Sequence, residues 1–347
     1  MSAQVLTPDI CVIGAGSAGL TVAAAAAQFG APVVLVEKGR MGGDCLTTGC
    51  VPSKALIAAA VVRHAGRRGP AFGIAATAPE VDFAGVHRHI HEVIGSIAPH
   101  DSVERFEGLG VTVLQSSARF VDARTLVAGD TTIRARRVVL ATGSTPAIPP
   151  IEGLDGVPFL TNETVFELTA LPRHLIVIGG GPIGVELAQA YRRLGAAVTL
   201  VERGTILPHD DPELVAVVRE ALVADGVVLH ENATTERVSS EDGSPVLDIT
   251  GPHGRGRIAG SHLLVATGRT PTVDGLDLDK AGIAFTAKGI TVDRGLRTTN
   301  RRVYAIGDCT GGLQFTHVAG YHGSLAVRSI VFRLPVKEDR SRIPKVT

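Results

Sequence analysis

Apolar positions in this 347-residue chain fall into short runs and helix-length stripes that alternate with glycine-rich breaks. The stretch DICVIGAGSAGLTVAAAAAQFGAPVVLVEKG (9–39) reads as a β-branched strand, a glycine turn, an alanine-rich helix ending at Gly30, and a second strand closing on Glu37. HLIVIGGGPIGVELAQAYRRLGAAVTLVERG (174–204) repeats it without a gap. Gly14, Gly16 and Gly19 match Gly179, Gly181 and Gly184, Gly30 matches Gly195, and Glu37 matches Glu202. A shorter echo follows each copy: RRVVLATGSTP (136–146) and SHLLVATGRTP (261–271), both apolar strands running into a Thr-Gly turn. Between the copies, 110–135 alternates like a small antiparallel meander, and 83–109 predicts one amphipathic helix. Proline-containing stretches at 146–158 and near Pro271 read as linkers.

The repeated pattern has a physical purpose. The first glycine permits a tight turn, the second lets backbone approach a pyrophosphate, and the third lets helix pack closely on strand. The helix N-terminus then faces the phosphates. A carboxylate 23 residues after the first glycine, in both copies, is placed to accept from ribose hydroxyls. Two bound dinucleotides are therefore expected, in an α/β chain of two Rossmann-like domains of three layers (ββα), the second inserted in the first. The expected boundaries are 1–147, 148–271, and 272–347 as a return segment completing the first domain.

Composition agrees with an α/β architecture. Gly is abundant at 41, apolar residues make up 45% and aromatics only 4%. Lys+Arg and Asp+Glu balance at 34 each with no long basic run, which argues against a nucleic-acid or membrane-surface partner. The N-terminal sequence lacks a charged segment ahead of an apolar one, and the VAAAAA run is far too short to span a bilayer. A cytoplasmic, reducing location is the expectation.

Four cysteines do not make a disulfide framework, so the close pair Cys45 and Cys50 in MGGDCLTTGCVPSKAL points to redox catalysis or metal binding. Pro52 suits the first turn of a helix beginning there, and a helix N-terminus lowers a thiol's pKa. A structural zinc site wants four ligands and no second pair exists. Cys11, within an apolar run, and Cys309 read as core residues. HRHIH puts His87 and His91 on one helix face, but no third ligand is legible. That cluster reads as a solvated polar face, and no metal is expected.

VYAIGDCTGG (303–312) ends another apolar strand with Gly-Asp. With GGDCLTTGCVPSK, both glycine-rich folds and both Thr-Gly turns, the chain resembles the FAD-containing pyridine nucleotide–disulfide oxidoreductases, the family of dihydrolipoamide dehydrogenase, glutathione reductase and mercuric reductase. The resemblance implies a flavoenzyme acting on sulfur groups with NAD(P) as partner: hydride from NADH to FAD, then to a Cys45–Cys50 disulfide, then to an external disulfide or other acceptor. By the same resemblance Cys50 faces the flavin and Cys45 attacks the substrate. Lys54 pairs with Glu186 near the flavin as buried charge. FAD would be held by Gly14, Ala15, Gly16, Ser17, Gly19, Glu37, Lys38, Gly43, Asp44, Lys54, Ala118, Thr142, Gly143, Ser144, Asp308, Phe315, Thr316 and His317. The nicotinamide dinucleotide falls to Gly179, Gly181, Ile183, Gly184, Glu202, Gly268 and Arg269. A carboxylate at Glu202 welcomes a 2′-hydroxyl and repels a 2′-phosphate, so NAD(H) is expected over NADP(H).

Three departures from the family pattern bear on function. Thr47 stands for the usual Asn and Asp44 for a common Thr, and by the resemblance the C-terminal dimerisation domain with its His–Glu pair is expected to be missing. A truncated or natural short form is expected, with doubtful dimerisation, so possibly a monomer. The partner is a small-molecule or protein disulfide. Two alternatives stay open: an NADH-dependent flavin diaphorase or oxidase that bypasses the thiols, and a catalytically crippled FAD/NAD-binding form. 97–111 leans toward the mercuric-reductase-like branch.

Overall fold

The computed structural model describes residues 4–77 and 79–346. Its α-helices, among the described residues, are Ser17–Gln28 (α1), Gly43–Thr47 (α2), Cys50–Ala65 (α3), Phe83–Ile97 (α4), Val103–Gly108 (α5), Pro182–Leu194 (α6), Pro212–Asp225 (α7) and Thr316–Ile330 (α8). By contact density the chain divides into two compact units. The first takes residues up to 47, 95–145 and from 269 onward; the second takes 48–94 and 146–268.

The first unit is built on a five-stranded, all-parallel sheet ordered Val303–Ala305, Arg137–Leu140, Ile10–Ile13, Val33–Glu37, Thr112–Gln115. Its central strands are buried on both faces, as parallel strands with covered faces must be. Alternate residues serve opposite layers. Ile10, Val12, Val33 and Leu35 pack with α1, α5 and α8 through Val22, Phe106 and Leu325. Cys11, Ile13, Val34 and Val36 pack against a small sheet through Phe120, Leu126 and Ile133. That sheet is the expected meander, with a correction: Thr112–Gln115 leaves it for the edge of the parallel sheet, and Gln4–Leu6 joins it instead.

The second unit repeats the plan. A parallel sheet ordered Val228–His230, Ala197–Val201, His174–Ile178, His262–Val265 has a three-stranded antiparallel sheet, Thr234–Glu241, Ser244–Gly251 and Gly254–Ala259, on one face. Helix α3 packs along α6, which is why 48–94 belongs to this unit.

The single helix expected over 83–109 is three pieces: α4, a 3₁₀ turn at Ala98–Asp101, and α5. Pro99 cannot continue the helical hydrogen bonding, and Ser102 restarts it by accepting the Arg105 N–H at 3.2 Å. Residues Gly43–Ala65 are together long and apolar enough to cross a membrane. They are two helices with Lys54 and Arg63 on the second.

Candidate functional site

The two glycine-rich turns are stereochemical copies. A Cβ on Gly14 would lie 2.3 Å from the Ala141 carbonyl oxygen, and one on Gly179 2.4 Å from that of Ala266. Both residues have φ above +100°, where side chains are strained. A Cβ on Gly19 or Gly184 would strike the carbonyl oxygen of Gly14 or Gly179, at 1.8 and 2.0 Å. The first and third glycines are thus forced by the protein's own packing. The second is not. Gly181 has nothing within 4 Å of where its Cβ would be, and Gly16 only the Gly43 Cα at 3.9 Å. Both sit at helix N-caps with negative φ, no side-chain cap and no acidic residue in the first turn. Space and positive helix ends are left open where an anionic group is to approach. The dinucleotides' pyrophosphates fit this cradle.

The paired carboxylates complete the symmetry. Glu37 accepts the Ala15 N–H at 2.6 Å and the Gly39 N–H at 2.7 Å. Glu202 accepts the Gly180 N–H at 2.7 Å and the Gly204 N–H at 2.8 Å. Each is pinned beside its turn with lone pairs to spare for ribose hydroxyls. The Thr-Gly turns match too. Thr142 donates to the Thr272 carbonyl at 2.7 Å while Thr272 N–H reaches Gly143, and Thr267 donates to the Ala147 carbonyl at 2.8 Å while Ala147 N–H reaches Gly268.

In the first unit the cysteine motif is pressed onto the first turn. Gly42 N–H donates to the Ala15 carbonyl at 2.9 Å, and a Cβ on Gly43 would come 2.6 Å from the Gly16 Cα. Helix α2 starts there and carries Asp44 and half-buried Cys45; Thr47 closes it through its hydroxyl to the Gly43 carbonyl, 2.9 Å. In the second unit Cys50 is the exposed first residue of α3, with Pro52 buried in the first turn. One turn on, Lys54 grips both carboxylate oxygens of Glu186 on α6 at 2.9 Å. The Lys54 side chain is 56% exposed and that of Glu186 21%. As an ion pair alone the two contribute at most about 1 kcal/mol.

Arg269 belongs to the first unit. It donates to the Ser144 hydroxyl at 2.7 Å and carbonyl at 2.8 Å, and it pairs with Asp44. Ser144 in turn donates to Asp308 at 2.7 Å. Burial raises the Asp308 carboxyl above its ordinary value, against the Ser144 hydrogen bond and the Arg269 charge that favour ionisation. Asp44 is thereby explained as the partner of Arg269, a pairing that a sequence motif does not reveal. His322 was also not assigned a role from sequence. It is 2% exposed, its Nδ1 accepts the Gly307 N–H at 3.1 Å, and its Nε2 meets Glu338 at 2.8 Å. It props the turn that carries Asp308.

The remaining sequence candidates are placed as follows. Ser17 opens α1, with its carbonyl accepting the Thr21 hydroxyl. Lys38 is exposed, and Ala118 is buried at the start of the small sheet. Phe315 caps α8 ahead of Thr316, and its ring stacks on His317 at 5.3 Å. His317 also meets the Pro344 carbonyl at 2.8 Å. Ile183 is the second residue of α6. Cys11 and Cys309 are fully buried, and burial pushes their thiols up to about 12 and about 11.

Residues 8–323 match the family described as pyridine nucleotide-disulphide oxidoreductase. The chain is 37% identical to the mercuric reductase of Streptomyces lividans, across 98% of this chain and 73% of that protein. It is 36% identical to the mercuric reductase of Lysinibacillus sphaericus, across 98% of this chain but 62% of that protein's length. Among solved structures, the Cu(II) complex of the HOCl-induced flavoprotein disulfide reductase RclA from Escherichia coli matches with a TM-score of 0.83 at 28% identity. That match covers 94% of this chain and 72% of RclA.

Proposed function

The chain belongs to the pyridine nucleotide-disulphide oxidoreductase family, and on that premise we propose that it is an NADH-dependent flavoenzyme whose Cys45 and Cys50 form the redox disulfide. FAD is assigned to the first unit and NADH to the second; when bound, they supply a two-electron path from nicotinamide to the thiol pair. The observation that carries the reading is the backbone-to-backbone seat of Gly43 on Gly16, which starts the cysteine motif at a dinucleotide turn.

The chain's own residues divide the work. Gly16 and Gly181 clear space for pyrophosphates, and Glu37 and Glu202 receive ribose hydroxyls. Arg269 and Ser144 hold Asp308 in place, and His322 supports its turn. Two electrons and two protons convert the Cys45–Cys50 disulfide to two thiols. Cys45 then attacks an external disulfide and expels one thiol. Cys50 attacks the Cys45 sulfur, expels the second thiol and restores the disulfide. The names of the curated relatives favour a second thiophilic acceptor, Hg(II), bound by the reduced pair. The test is Cys50→Ser. NADH-dependent reduction of either acceptor is expected to vanish while NADH still bleaches the flavin. Acceptor reduction at the wild-type rate in this variant would overturn the reading.

A further inference from the structure

Outside the dinucleotide and cysteine machinery, the second unit gathers three metal-ligating side chains that the sequence separates. His87 and His91 lie one helical turn apart on α4, with ring centroids 4.3 Å apart. Glu167 comes from the 3₁₀ turn Val165–Glu167. One potential ligand atom from each lies within 4.8 Å of the others. The sequence reading of a solvated face lacked this third residue.

The arrangement is held from behind. Tyr191 of α6, 1% exposed, donates its hydroxyl to the Val165 carbonyl at 3.0 Å, and Phe83 of α4 packs on the Tyr191 ring at 5.9 Å. Val165, Phe166, Phe83 and Ile90 are all buried, so the turn and the helix face are fixed to one scaffold. Within it, the His91 Nε2 is buried with no hydrogen-bond partner. The Glu167 carboxylate stands 3.7 Å from it, too far for a hydrogen bond. A buried polar nitrogen left without a partner is costly. A cation between it and the carboxylate removes that cost. The neighbouring Arg88 does not occupy the place, being paired to Asp82 at 3.3 Å.

We propose that His87, His91 and Glu167 form a binding site for a borderline divalent cation of the Zn²⁺ class. Two imidazoles at i and i+4 plus one carboxylate is a zinc donor set, with a fourth position open to water. In tetrahedral zinc such ligand atoms stand about 3.3 Å apart, so side-chain rotation alone brings the cluster together. Glu167, 60% exposed on its side chain, gives the ion an entry path. Bound metal would clamp α4 to the Val165–Glu167 turn.

The test separates this site from the thiols by using the full chain with Cys45→Ser and Cys50→Ser. Zn²⁺ is titrated against a chromophoric chelator, and Co²⁺ is added to a second sample. One equivalent of Zn²⁺ is expected, with Co²⁺ giving visible ligand-field bands and no thiolate charge-transfer band. Glu167→Gln, at an exposed position that leaves folding intact, weakens Zn²⁺ about tenfold or more, and His91→Gln does the same. Zn²⁺ also raises the melting temperature of the parent but not of the Glu167→Gln variant. No Zn²⁺ uptake in the Cys45→Ser, Cys50→Ser parent, or uptake by the Glu167→Gln and His91→Gln variants as tight as the parent's, overturns the proposal.

Discussion

Substituting alanine at the first and at the second glycine of the NADH-assigned turn separates a fold requirement from a ligand requirement. Gly179 has φ +112°, and its Cβ would lie 2.4 Å from the Ala266 carbonyl oxygen and 2.6 Å from its carbon. The backbone strain costs about 1–3 kcal/mol. Forcing a methyl against a fixed main chain adds about 1–3 kcal/mol. For a unit of this size, Gly179→Ala should therefore lower the melting temperature by about 5 °C or more. Gly181 is different: its φ is −72° and its ψ 179°, and no atom lies within 4 Å of the added carbon. Loss of an N-cap glycine and reduced freedom of the unfolded chain oppose each other, leaving a change under about 1 kcal/mol. The methyl does occupy the open space assigned to the pyrophosphate, so NADH affinity should fall about tenfold or more, equivalent to about 1.4 kcal/mol. Scanning fluorimetry and equilibrium NADH binding on both variants read the two effects. A Gly181→Ala protein that binds NADH normally would refute the ligand argument. A Gly179→Ala protein with an unchanged melting temperature would refute the steric one.

Three further outcomes are expected. Glu202→Gln weakens the carboxylate's hold on the Gly180 and Gly204 N–H groups and removes its repulsion of a 2′-phosphate, so the NADH-over-NADPH preference in steady-state kinetics should fall about tenfold. Cys11 and Cys309, with thiols pushed up to about 12 and about 11, should react with a thiol reagent at pH 7 only after denaturation. Desolvation pushes Glu338 up, but hydrogen bonds from Arg340 and His322 outweigh it and hold the carboxyl below its ordinary value. Its contribution is present above the unfolded-state value and lost as pH falls through the folded one. Amide protection over 333–346, measured relative to the intrinsic exchange rate at each pH, should fall on acidification in the wild type, and Glu338→Gln should remove that loss of protection.

Local pattern carried the repeated turns because their constraints are local: a strand, a turn and a helix set Gly14 against Ala141 and Gly179 against Ala266 in one stereochemistry. The carboxylates Glu37 and Glu202 were legible for the same reason. The Arg269–Ser144–Asp308 chain and its Asp44 partner were not, because they join segments far apart in sequence and the Thr-Gly echo suggested equivalent roles for Ser144 and Arg269. His322 was obscured because its partners, Gly307 N–H and Glu338, are set by tertiary packing of α8. The Lys54–Glu186 pair was expected from the resemblance, whereas its exposure depends on how α3 and α6 pack, which spacing alone does not report. Glu167 belongs to α4's histidines only through the Tyr191 and Phe83 packing.

The most direct test of the central claim is an anaerobic titration of the FAD-loaded protein with NADH, counting accessible thiols before and after. Two new thiols are expected, absent in Cys50→Ser, together with a long-wavelength thiolate–flavin absorbance. Flavin bleaching with no new thiols would contradict that claim, leaving the cysteine pair outside the electron path.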